Sequence, residues 1–407
     1  MSFTRKFTLF TSAILFTAVA HGADIDDDDI QSLRDWINSK RMITVRELGG
    51  QLSISGEVRA EMQATAETRN GIAQRGRGTR APTHAYDVEF NLGIDYRTEN
   101  TWAAARIRFD NDAGINQEFF GSGTNNKLKI DKAYFGYRLI DRDRHTADIE
   151  VGRRGMFLLF DSKIQFGSNF DGINFKDSYA IEKVGDVYYQ LGAFLVNEKK
   201  NQAAYVGEVG ILNVAGTGFY TKYSLIDWDT KADIKIPEEF HFIISQLLLG
   251  YKYIPQPWDK VVNFYLGGLY NHRARSLSIS DHKRANFGGY LGVSVGQIKQ
   301  AGDWAVDTNY QVVAAQSIPS FDALGIGMGN TPGNGFYYTK VGNEPVAATR
   351  RTAEGNVNYR GFRLTVQYML TNNLNLFQEW SQSITLDDSV GPFRRYKQYE
   401  LELIYAF

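Results

Sequence analysis

The sequence ends, at residues 399–407, with Tyr-Glu-Leu-Glu-Leu-Ile-Tyr-Ala-Phe. Successive side chains of a β-strand point to opposite faces, so this stretch predicts a strand with two different sides. One side carries Tyr399, Leu401, Leu403, Tyr405 and Phe407. The other side carries the carboxylates of Glu400 and Glu402. A wall with lipid outside and water inside suits both faces, and a soluble β-sandwich that ends in Phe is the alternative.

The ending also resembles the C-terminal strand of Gram-negative outer-membrane barrels, which alternates in the same way and finishes on Phe. The resemblance implies a transmembrane antiparallel β-barrel in the outer membrane of a Gram-negative-type bacterium, surrounded by the lipid bilayer. It also implies that the barrel-assembly machinery recognises this strand. The 407 residues include 26 Phe and 23 Tyr, yet the mean hydropathy is −0.34. Such values are expected when apolar residues occupy every second position of strands instead of long runs.

Residues 1–22 have the pattern of a secretory signal peptide, which is removed from the mature protein. Arg5 and Lys6 precede an apolar run at 7–20, and the small residues near Ala20 and Gly22 suit cleavage. An uncleaved anchor helix is the alternative, although the run is short for one. The absence of cysteine excludes disulfides and thiolate metal sites, and the net charge of −1 gives no indication of nucleic acid as a partner.

Residues 23–49 are predicted to form a short helical segment in the periplasm, ahead of the barrel. The aspartates at 26–29 suit a helix N-terminus, and Ile30, Leu33 and Ile37 follow at helical spacing. We interpret the acidic run as a solvated helix cap, with cation binding as the alternative.

Residues 50–407 have a period of two, which predicts a single all-β domain. About sixteen strands are expected, near 51–63, 85–97, 101–110, 128–140, 146–154, 169–176, 187–197, 204–214, 218–227, 242–253, 261–271, 285–296, 304–316, 359–370, 374–383 and 396–407. Most have about 10 residues, the length of a tilted strand that crosses a bilayer. Connections after even-numbered strands are short and those after odd-numbered strands are long, the longest being 317–358. This asymmetry places both chain ends on the periplasmic side.

The connection at 155–168 is too apolar for a free surface loop and is expected to bury itself. Together with Val-Gly-Arg at 151–153, Phe-Asp-Ser at 160–162 and Asn-Phe-Asp-Gly at 169–172, it resembles the loop-three region of general-diffusion porins. The resemblance implies a homotrimer of 16-stranded barrels in which the third loop narrows the pore. The residues to which it gives this role are Phe160, Asp161, Ser162, Lys163 and Gln165. A strand overhang capped by loop packing is the alternative.

Inward parity places charged side chains on the pore wall opposite this loop. The wall residues are predicted to include Arg59, Arg106, Arg108, Arg138, Arg154, Glu57 and Glu89. Arrays of opposite sign create a transverse field that orients dipolar solutes, and Asp161 is expected to face Arg106 and Arg108. The alternative is that these charges pair and solvate the lumen without tuning selectivity.

These patterns predict an outer-membrane porin, a water-filled channel for passive diffusion of small hydrophilic solutes and ions. An anion-selective, phosphate-type porin and a closed-lumen structural or adhesin barrel are the alternatives. The histidines lack a metal-binding or nucleophile-activating spacing, so neither an enzyme nor a cofactor is expected. The first long loop, with Arg69, Arg75, Arg77 and Arg80, is a candidate contact for lipopolysaccharide phosphates, or simply a solvated loop.

Overall fold

The computed structural model describes residues 43–47, 50–74, 84–112, 128–198, 202–229, 242–256, 258, 260–274, 276, 283–319, 322–327, 340–341, 344–345 and 357–407. Within these ranges, no helix has the length and apolar character needed to cross a bilayer. The predicted signal peptide and the helix predicted at 24–41 lie outside the described residues. Within the predicted helical segment 23–49, Ile43–Glu47 is a β-strand.

Sixteen antiparallel strands form a closed barrel, which confirms the fold expected from the sequence. They are β1 (Gly50–Arg69), β2 (His84–Arg97), β3 (Thr101–Asp112), β4 (Leu128–Arg142), β5 (His145–Gly155), β6 (Asn169–Ile181), β7 (Gly185–Asn197), β8 (Gln202–Leu212), β9 (Phe219–Asp229), β10 (Phe242–Tyr253), β11 (Val262–Asn271), β12 (Phe287–Gly296), β13 (Trp304–Val313), β14 (Tyr359–Met369), β15 (Leu374–Thr385) and β16 (Arg394–Ala406). Each strand pairs with its neighbours along the chain.

Several short elements accompany the barrel. Ile72–Gln74 folds back on the end of β1, and Lys340–Val341 pairs with Glu344–Pro345. Two single turns of 3-10 helix occupy Met156–Leu158 and Val214–Gly216.

The barrel closes where β16 pairs with β1, from Glu57 opposite Ala406 to Arg69 opposite Arg394. Phe407 and Gly56 then exchange two backbone hydrogen bonds of 2.9 Å. The Phe407 ring lies directly over Gly56, because a Cβ at Gly56 would come within 2.4 Å of that ring. The terminal aromatic therefore packs across the seam of the barrel.

The connections at the two ends of the barrel differ in length. One end, here called the turn end, has tight connections at 98–100, 143–144, 182–184 and 370–373. The opposite end, here called the loop end, has the long connections, including 156–168 and 314–358. Both Gly50, at the start of β1, and the C-terminus lie at the turn end, as the even strand count requires.

The outer face of the barrel is apolar and exposed. Phe135, Leu191, Tyr205, Leu266 and Leu291 are each more than half exposed. Inward positions of the strands hold buried polar side chains, including Glu57, Asn91, Gln190, Gln246 and Gln311. The C-terminal strand follows the same rule, with Leu403 and Tyr405 outside and Glu402 inside. A soluble barrel would show the reverse, so this wall has the two faces of a transmembrane barrel.

Candidate functional site

The connection at 156–168, here called loop L3, folds into the barrel. Met156, Phe160, Ile164 and Phe166 are at most 1% exposed. They pack against inward side chains of β6–β12, among them Phe170, Phe194, Ile226, Ile244 and Tyr290. A loop with this many apolar side chains is stable inside the barrel because the wall beneath it removes them from water.

The tip of loop L3 is fixed to the wall by polar contacts. The Asp161 carboxylate lies 3.2 Å from the Lys222 ammonium, and the Gln246 side-chain amide donates to the Asp161 carbonyl oxygen at 2.7 Å. The Lys163 ammonium lies 3.5 Å from the Asp307 carboxylate and 4.8 Å from the centre of the Tyr265 ring. Both charged residues of the tip are therefore paired with the wall on which the loop lies.

The residues predicted to line the constriction fall into two groups. Phe160, Ser162 and Gln165 are 1%, 6% and 0% exposed, so they support the loop from within. The Ser162 hydroxyl accepts hydrogen bonds from the Ile164 and Gln165 amides and shapes the turn. Asp161 and Lys163 keep 23% and 22% of their side-chain surface exposed, and these two present charge to the lumen.

A second segment, which was not predicted from the sequence, also enters the lumen. Residues 322–327, here called the 322–327 segment, belong to the long connection at 314–358. Asp322 accepts hydrogen bonds from the Phe166 and Ser168 amides at 3.0 and 3.1 Å, and its carbonyl oxygen accepts from the Gly167 amide at 2.9 Å. The Leu324 amide donates to the Ile164 carbonyl at 3.0 Å. The 322–327 segment therefore runs along loop L3.

The far end of the 322–327 segment is attached to the wall. The Ile326 amide donates to the Gln311 side-chain oxygen at 3.0 Å, and the Ser383 hydroxyl donates to the Gly327 carbonyl at 2.6 Å. Gly325 has no room for a side chain, because a Cβ there would lie 2.0 Å from the Tyr359 hydroxyl. The segment extends from loop L3 to β13 and β15, so two loops narrow the lumen together.

Asp322 is the acid at the centre of this contact. Burial raises the pKa of its carboxyl from 3.8 to about 7, although the hydrogen bonds from Phe166 and Ser168 act in the opposite direction. The contact with loop L3 therefore places Asp322 where its carboxyl ionises less readily than in water.

The predicted arginines of the pore wall lie on β1, β3, β4 and β5, and each pairs with a carboxylate. Arg59 lies between Glu57 at 3.0 Å and Glu402 at 3.4 Å. The remaining pairs are Arg106 with Asp131 at 2.6 Å, Arg108 with Glu89, Arg138 with Asp148 at 2.9 Å, and Arg154 with Glu150. The predicted opposition of Asp161 to Arg106 and Arg108 is not a direct contact, since the ion-pair partner of Asp161 is Lys222.

Two further features of this wall were not predicted from the sequence. The indole N–H of Trp102 donates to Glu150 at 2.9 Å on the inner face. Carboxylate oxygens of Glu61, Glu400 and Glu402 lie within 4.8 Å of one another, a set able to share a cation or a proton. Of the candidate lipopolysaccharide contacts, Arg69 ends β1, whereas Arg75, Arg77 and Arg80 lie outside the described residues.

Comparison with known proteins identifies relatives by structure alone. No protein-family model matches the chain, and no curated protein matches it. The structure of OprB from Pseudomonas putida at high pH is 11% identical with a TM-score of 0.54, and the match covers 96% of this chain and 100% of OprB. OmpF of Salmonella typhi, solved with daunomycin, is 10% identical with a TM-score of 0.52, covering 90% of this chain and 100% of OmpF. At such identities the similarity shows a shared fold, that of the porin barrels.

Proposed function

We propose that the chain is an outer-membrane porin, a water-filled channel through which small hydrophilic solutes and ions diffuse passively. The observation that carries the proposal is the combination of an apolar outer face with a charged lumen that two inward loops narrow. The outer face requires lipid, while paired charges such as Arg59 with Glu57 require water nearby. Such an arrangement acts as a channel rather than an enzyme, because selection needs only size and charge.

The charges at the seam support a preference for neutral or cationic solutes over anions. Around Arg59, the inner faces of β1, β2 and β16 carry Glu57, Glu61, Glu89, Glu400 and Glu402. An excess of negative charge raises the local concentration of cations and repels anions. The anion-selective, phosphate-type alternative has less support from this wall.

Location and assembly are proposed with the function. The resemblance in sequence leads us to propose a homotrimer in the outer membrane, contact with lipopolysaccharide, and insertion by the barrel-assembly machinery through β16. We also propose that residues 1–22 are removed on export and that residues 23–49 form a periplasmic segment ahead of the barrel, within which Ile43–Glu47 pairs with the turn end of β1.

Single-channel recording in a planar bilayer tests the function. Purified mature protein is expected to give stepwise conductance, grouped in threes if it is a trimer, and a reversal potential in a salt gradient of the sign for cation preference. The same sample after heat unfolding is the control. A folded, heat-modifiable barrel that gives no conductance would contradict the proposal and favour the closed structural or adhesin barrel.

A further inference from the structure

The C-terminal arm of loop L3, residues 164–168, shares four backbone hydrogen bonds with the 322–327 segment: three of its amides donate to Asp322, and the Ile164 carbonyl accepts from the Leu324 amide. The Phe166, Gly167 and Ser168 amides donate in turn to one carboxylate oxygen, the backbone carbonyl and the other carboxylate oxygen of Asp322. Buried amides need partners, because leaving one unpaired costs about as much as a lost hydrogen bond. One residue of another loop therefore satisfies three consecutive amides of loop L3.

The two segments also fit closely around Gly167. A Cβ on Gly167 would lie 2.5 Å from the Ala323 carbonyl oxygen and 3.2 Å from that of Asp322. Asp322 itself is fully buried. The contact therefore consists of directed hydrogen bonds without intervening space, and it depends on the carboxylate from one side and the missing side chain from the other.

We propose that Asp322 is a positioning residue of the channel, which holds the C-terminal arm of loop L3 in the lumen and thereby sets the size of the constriction. Its effect on conduction depends on the proposed function, whereas its effect on the position of the loop does not. A solute meets Asp161 and Lys163 at the tip of loop L3, and Asp322 acts on the solute only through them.

Thiol labelling of loop L3 measures its position independently of conduction. The chain has no cysteine, so Ile164→Cys provides a single thiol at a position that is 0% exposed. We would combine it with Asp322→Ala, Asp322→Asn and Gly167→Ala, and react each refolded barrel with a water-soluble maleimide at one pH. Conductance of each variant would be recorded in parallel.

Asp303→Ala is the matched control. Its carboxylate also accepts two backbone amides, those of Lys299 and Gln300 at 3.0 Å, but it lies in the 297–303 turn at the opposite end of the barrel. It therefore reproduces the loss of the same kind of contact without touching loop L3.

Asp322→Ala and Gly167→Ala are expected to label about tenfold faster than the parent. Asp322→Ala removes the two carboxylate acceptors of the Phe166 and Ser168 amides, and Gly167→Ala forces the two segments apart at the Ala323 carbonyl oxygen. Asp322→Asn should be intermediate, because its amide offers one acceptor where the carboxylate offers two. Unchanged labelling in Asp322→Asn and Gly167→Ala, or equal acceleration in Asp303→Ala, would overturn the proposal. Faster labelling in a barrel that never conducts would leave the positioning role intact and reject the porin function.

Discussion

The inner face of the barrel has two halves of different chemistry. The inner face of β6–β12, here called the apolar wall, carries an apolar cluster beneath loop L3, in which Phe194, Ile226 and Ile244 are each at most 4% exposed. Buried polar side chains such as Gln190 and Lys222 surround this cluster. The inner face of β14–β16 and β1–β5, here called the charged wall, carries the arginine–carboxylate pairs. Both halves have the same apolar outer face, so the membrane does not explain the difference. Loop L3 explains it, because the apolar wall is a protein core and the charged wall borders water.

The difference between the two walls explains how a wide barrel holds a stable constriction. Each buried side chain of loop L3 contributes roughly 1.5–3 kcal/mol through burial against the apolar wall. The paired charges opposite contribute less to stability, because the cost of removing two charges from water offsets much of their attraction. One half of the lumen therefore holds the loop, and the other interacts with the solute.

Deleting Phe407 should have the largest effect, because the charged wall contains the seam. Without the ring over Gly56 and the two terminal hydrogen bonds, we expect most of the protein to fail to assemble in membranes. Heat-modifiable migration on gels measures assembly, and Phe407→Tyr, which keeps the ring, is the control. Normal assembly of the truncated chain would contradict the role given to the C-terminal strand.

Ile164→Asp should disrupt the packing of loop L3 against the apolar wall and leave the charged wall unchanged. An ionised carboxylate in this cluster costs several kcal/mol, so we expect loop L3 to leave the wall and single-channel conductance to rise. Ser381→Asp is the control on the charged wall, where the new carboxylate lies across from Arg363 and should be tolerated. Equal responses of the two variants would mean that the halves do not differ as described.

The pH dependence of Asp322 should sharpen the comparison, since it is an ionisable group inside the apolar half. Its pKa is raised in the folded state, from 3.8 to about 7, because burial disfavours the charged carboxylate by more than the amide hydrogen bonds of loop L3 favour it. Stability from this group is full below about pH 4 and falls as pH rises to about 7, by at most about 4 kcal/mol. The difference in unfolding temperature between the parent and Asp322→Asn, followed from pH 4 to 8, isolates this group. A difference in unfolding temperature that does not vary with pH would contradict a raised pKa for Asp322 in the folded state.

Asp161→Lys should affect the fold less than the preceding changes and should have a clear effect on selectivity. It replaces the 3.2 Å pair with Lys222 by a repulsion at a side chain that is itself 23% exposed, and it changes the charge that the tip presents to the charged wall. We expect the reversal potential to shift towards anions, with about half the shift in Asp161→Asn. An unchanged reversal potential would remove Asp161 from the constriction.

The period of two was sufficient to predict the barrel. The predicted strands agree with the observed sixteen to within a few residues, and the faces of residues 399–407 are as expected. Alternation follows from the geometry of a strand, so it can be read without knowing any neighbour. The apolar run of loop L3 similarly predicted that it would be buried.

The pairings inside the lumen could not be predicted, because they depend on which strands come close together in space. Asp161 lies against Lys222, and the sequence contains no signal that selects Lys222 over Arg106. The sequence does contain a signal of the apolar wall, since Phe-Ile-Ile-Ser-Gln-Leu-Leu-Leu at 242–249 is apolar on both faces. A strand of this kind implies that something covers its inner side.

The sequence of the 322–327 segment and its surroundings contains a similar signal for burial. Residues 317–327 read Ser-Ile-Pro-Ser-Phe-Asp-Ala-Leu-Gly-Ile-Gly, as apolar as loop L3 and with a similar Phe-Asp-Ala in place of Phe-Asp-Ser. The prediction that residues 317–358 form one long loop did not take this apolar pattern into account. Ile43–Glu47 was missed for another reason, because a five-residue strand next to charged residues has too little pattern to identify.

Ile43–Glu47 restricts the register in which β16 can pair with β1. It pairs with β1 from Gly50 to Ile54, and the strand that closes the barrel begins its own pairing at Gly56. Ile43–Glu47 and β16 thus pair with consecutive parts of the same edge of β1, separated by one residue. A slip of β16 by two residues towards the turn end would require backbone groups of β1 that Ile43 already uses. The N-terminal strand thus blocks any shift of the last strand towards the turn end.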